Sequence, residues 1–96
     1  MPKEKVYISS EEVDNLVEDL SASFVWLNIT GVIPNLISSE FKKRYFIINA
    51  LVEDIDLTRL YALRDLIILH NFHPDIQITP SSNERIHLKI LVTGAD

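Results

Sequence analysis

Apolar residues recur with helical spacing at Val13, Leu16, Val17, Leu20 and Phe24, while Glu11, Asp14, Glu18 and Asp19 fall on the opposite side. Ser9 and Glu12 precede this stripe with the spacing of a capping box, and Ile8 and Val13 take the staple positions. A first helix is therefore expected after Ser9. Phe24 to Ile29 is rich in aromatic and β-branched residues and predicts a short strand. Thr30 to Asn35 carries turn chemistry, with Leu36 and Ile37 available to extend a sheet.

Arg44 to Val52 is the strongest strand signal. Phe46, Ile48, Ala50 and Val52 make one face; Tyr45, Ile47, Asn49 and Leu51 make the other. Both faces are apolar enough to be covered, which predicts a subunit contact on the outer one. Asp54 or Asp56 caps a second helix that runs to about Asn71. Leu57, Leu60, Tyr61, Ile67 and Ile68 form its expected buried stripe, widened by Leu63 and Leu66. Asp75 to Thr79 alternates as a strand with Ile76 and Ile78 inward, and Pro80 to Glu84 reads as a loop. Arg85 to Thr93 alternates again, with Ile86, Leu88, Ile90 and Val92 inward, so the last two strands make a hairpin. The order α-β-β-α-β-β, without repeat or linker, predicts one domain over residues 1–96. Its architecture is two-layer α+β, two helices on one face of a four-stranded antiparallel sheet.

The chain has 96 residues, 47% of them hydrophobic, enough for one core and too many for a disordered segment. Net charge is −5 and the only basic knot is Lys42-Lys43-Arg44, which argues against nucleic acid as a partner. No apolar run reaches the ~18 residues of a membrane span, and the polar start shows no signal peptide. A cytoplasmic location is the expectation. With no cysteine there is neither a disulfide nor a zinc–thiolate site.

Two of the three histidines fall in Leu69-His70-Asn71-Phe72-His73-Pro74-Asp75-Ile76, between the second helix and the third strand. Proline disfavours the α region for the residue before it, so a helix stop is expected there. His70, His73 and Asp75 match no metal motif, and no metal is expected. The chain also lacks a glycine-rich phosphate loop and a nucleophile elbow. Proton transfer by His73, next to Asp75, is the chemistry this corner best suits. The plainer reading makes His73 a histidine at a helix C-terminus, favoured by the macrodipole. His87, between Arg85 and Lys89 on the outer face of the last strand, is a weaker candidate.

The element order and Phe72-His73-Pro74-Asp75 together resemble the pterin-4a-carbinolamine dehydratase family. That family carries His-His-Pro-Asp/Glu after its long helix and Thr-His-Asp/Glu at the end of its last strand. The opening Ile8-Ser9-Ser10-Glu11-Glu12-Val13 and Trp26 are similar to the family's first helix start and its tryptophan. The resemblance implies acid–base expulsion of water from a 4a-hydroxytetrahydropterin, with no cofactor. It also implies a homodimer or homotetramer, a pterin ligand, and in some members a protein partner.

By the resemblance His73 would be catalytic, with His70 one turn earlier as a substitute partner. Phe72, Pro74, Asp75 and Thr93 would border the substrate. Two motif histidines are replaced: Phe72 stands for the first, and Thr93-Gly94-Ala95-Asp96 closes without the other. The hairpin between the motifs is longer than the family's, and its final helix would lie beyond Asp96. Three readings stay open: a catalytically degenerate, oligomeric binding or regulatory relative; an active dehydratase using His73 with His70 or His87; or an unrelated α+β binding module.

Overall fold

The computed structural model describes residues 9–37, 44–81 and 84–94. The order is α1 (Ser10–Ser23), β1 (Asn28–Ile37), β2 (Arg44–Val52), α2 (Leu57–Leu69), β3 (Phe72–Pro80) and β4 (Ile86–Gly94). The strands form one antiparallel sheet in the order β1-β2-β4-β3, with both helices on one face. This is the expected two-layer α+β architecture. α1 packs over β1 and α2 over β3. Between the layers lie Val13, Leu16, Leu20, Leu63 and Ile67 from the helices and Phe46, Ile48, Leu88, Ile90 and Val92 from the central strands.

α1 starts as the capping box requires. The Ser9 hydroxyl accepts from the Glu12 backbone N–H at 3.2 Å, and the Glu12 carboxylate accepts from the Ser9 N–H at 3.3 Å. The expected staple partner Ile8 lies outside the described residues. Asp56, not Asp54, caps α2, its carboxylate accepting from the Arg59 N–H at 2.8 Å. β2 begins and ends where the alternation placed it.

Three expectations are corrected. Phe24 caps the end of α1, Val25 and Trp26 form a turn, and the first strand runs from Asn28. It passes through the predicted turn: the register slips between Ile29 and Gly31 and between Ile33 and Leu36, absorbing Thr30 and Pro34 as irregularities in an edge strand. Secondly, α2 ends before the proline can act. Asn71 takes the left-handed conformation at φ 67°, and its N–H returns to the Ile68 carbonyl at 2.8 Å. Pro74 then sits inside β3, which begins at Phe72. Thirdly, α2 buries Leu63 and Ile67, while Leu57, Tyr61 and Ile68 from its expected inner stripe are exposed. Of the predicted loop after β3, Pro80 belongs to the strand, and Ser82 and Asn83 lie outside the described residues.

Candidate functional site

The histidine corner is an ordinary helix-to-strand junction that sends its polar groups in different directions. His70 is the C-cap of α2 and its imidazole turns to the first helix, with Nε2 2.7 Å from an Asp19 carboxylate oxygen. Asp19 also accepts from the Ser23 hydroxyl at 3.4 Å. The pair ties the end of α2 to α1, which gives His70 a packing role.

His73 and Asp75 alternate with Phe72 and Pro74 along β3, so they lie on the sheet face away from the helices, and both are exposed. Register sets His73 beside Thr93 and Asp75 beside Leu91. The Thr93 hydroxyl donates to the His73 carbonyl at 3.5 Å, a contact with backbone and not with the ring. His70 and His73 are therefore not brought together. Pro74 is half-buried and lies with Ile76 and Ile78 along a groove against α2, which Asp75 also borders. His87 is placed on the outer face, with Nε2 3.1 Å from Asn49 Oδ1 on the neighbouring strand. Among the described residues no group of histidines and carboxylates could hold a metal ion.

Phe72 is the informative member of the set. It is 1% exposed, and its ring meets Phe46 edge-on, with centroids 5.5 Å apart and planes at 87°. Register sets it directly opposite Gly94. The two positions where the resemblance implies histidines are thus cross-strand partners. Here they hold a core aromatic ring and a residue with no side chain. The sequence shows the two positions singly; only the strand register shows that they face one another.

The outer face was expected to need a second layer because of β2. Its row Ile33, Ile47 and Leu91 runs across three strands, and these neighbours leave Ile47 only 8% exposed within the single chain. Most of the large exposed apolar side chains among the described residues lie elsewhere: Leu57, Tyr61, Ile68 and Leu69 on α2, with Ile78 on β3. Sequence reasoning expected four of these, Leu57, Tyr61, Ile68 and Ile78, to be turned inward. The missed signal is that α2 is apolar around its whole circumference, which marks a helix covered on more than one side.

A second cleft, of about 450 Å³, lies at the other end of the sheet from His73. Trp26, Arg59, Glu53, Asp54 and Arg85 line it. Arg59 is already engaged there, with its guanidinium 4.8 Å from the Trp26 ring centre and donating to the Asp54 carbonyl at 2.9 Å. No described helix is long and apolar enough to cross a membrane.

Fold and surface together define a small two-layer α+β domain with an unconverged polar corner and an uncovered apolar helix. Comparison of the chain with protein-family models, curated proteins and solved structures found no match.

Proposed function

We propose that the chain is a pterin-4a-carbinolamine dehydratase-like domain without dehydratase chemistry, acting as an oligomeric protein-binding or regulatory module. The observation that carries this reading is the Phe72–Gly94 pair, closed over by Phe46. Acid–base catalysis needs groups that reach one reacting atom, each worth ~10²–10⁴ in rate. Here His73 lies on an open strand face, His70 turns to Asp19 and His87 to Asn49. The exposed apolar side of α2 supports association as the retained activity.

Carbinolamine dehydration, followed with the purified chain, tests the chemical half of the proposal. The expected rate equals that of buffer, and His73→Ala leaves it unchanged. A clear acceleration that His73→Ala abolishes would instead establish an active dehydratase. The associative half predicts a dimer or larger species at micromolar concentration, and a clean monomer would refute it.

A further inference from the structure

We infer that the cleft beside Trp26 binds a small zwitterion, an aliphatic α-amino acid, its carboxylate taken by Arg59 and Arg85 and its ammonium group by Glu53 and Asp54. The inference is independent of the association proposed above and of the histidine corner, which lies at the other end of the sheet.

The fold brings these groups together from three places. Glu53 and Asp54 follow the end of β2, Arg85 precedes β4, and Arg59 lies in the first turn of α2. Val52 and Ile86 are the last pair of the β2–β4 ladder, so Glu53 and Arg85 leave the sheet from neighbouring positions. The cleft they border holds about 450 Å³, the size of a small-ligand site and larger than the groove of about 280 Å³ between α2 and β3.

Four charged side chains of two signs line this cleft, yet among the described residues none of them forms an ion pair. Arg59 is half-buried. Its guanidinium is held 4.8 Å from the Trp26 ring centre and donates through Nη1 to the Asp54 carbonyl at 2.9 Å. Neither partner carries a full negative charge, so the cation is not neutralised, and its remaining N–H groups have no acceptor among the described residues. These two contacts fix the guanidinium before a ligand arrives, which lowers the ordering cost of binding. Arg85 and the carboxylates of Glu53 and Asp54 are exposed, and their charged groups have no partner among the described residues.

A ligand of one sign gains from two of these groups and is repelled by the other two. The charges of the cleft cancel, so it holds no long-range attraction for an anion such as a phosphate ester. A molecule carrying both signs a few bonds apart satisfies both pairs at once, and a guanidinium fork matches a planar carboxylate. Val25, 93% exposed, also borders the cleft and offers an aliphatic contact to the side chain of the amino acid.

The test uses the full chain and L-leucine. Trp26 is the chain's only tryptophan, so its emission reports occupancy of the cleft. Leucine is expected to give a saturable change that fits one site. Isocaproate, which lacks the ammonium group, and isoamylamine, which lacks the carboxylate, should each bind at least tenfold more weakly. Arg85→Gln should weaken leucine at least tenfold and leave isoamylamine unchanged, whereas Glu53→Gln should weaken leucine and leave isocaproate unchanged. Both substitutions fall at exposed positions, and circular dichroism checks that each variant is folded. No saturable response to leucine, or equal affinity for leucine and either half-molecule, would overturn the proposal. Leucine binding that neither substitution alters would place the amino acid elsewhere and overturn it as well.

Discussion

Helix α1 turns Val13, Leu16 and Leu20 to the sheet and a row of carboxylates to solvent, whereas α2 buries Leu63 and Ile67 yet leaves Leu57, Tyr61, Ile68 and Leu69 bare. The two helices are nearly equal in length, begin with a side-chain cap, and serve one core. What separates them is the side away from the sheet. α1 is complete within the chain, whereas α2 carries apolar surface that nothing in its own fold requires. The difference is the reason the proposed association is sought on α2, while α1 is read as serving the core.

Substitutions can break this comparison. Leu16→Ala and Leu63→Ala each remove a fully buried leucine, and each should cost about 2–5 kcal/mol in urea unfolding. A small loss at Leu63 alone would mean that α2 is not held by the sheet. Next in size, Ser9→Ala and Asp56→Ala should each cost about 1 kcal/mol by the same measurement, because each side chain satisfies one helix N-terminal donor. His70→Ala separates the ends of the helices, and about 1 kcal/mol or less is expected because Asp19 is partly solvated. The smallest effect should come from Tyr61→Ala. Protomer stability measured by unfolding at high dilution should change by no more than about 0.5 kcal/mol, while self-association falls. A large loss of protomer stability there would return Tyr61 to the core and erase the contrast.

Much of the fold can be read without coordinates where one physical signal dominates. The capping box placed α1, and strict alternation placed β2 and the inward residues of β4. The face of α2 was not legible, because a helix with leucine or isoleucine on every side has no period to separate inside from outside. The proline gave a helix stop for the wrong reason. Asn71 ends the helix through a left-handed backbone, and Pro74 serves the strand edge that follows. At the candidate site, the residues of the corner were visible in the sequence but their directions were not. A one-residue alternation decides that Phe72 enters the core while His73 faces solvent.

The mass of the unaltered chain at micromolar concentration, measured by sedimentation equilibrium, tests the account most directly. At least twice the protomer mass of 11.0 kDa is expected. A wild-type species that stays at 11.0 kDa would contradict it.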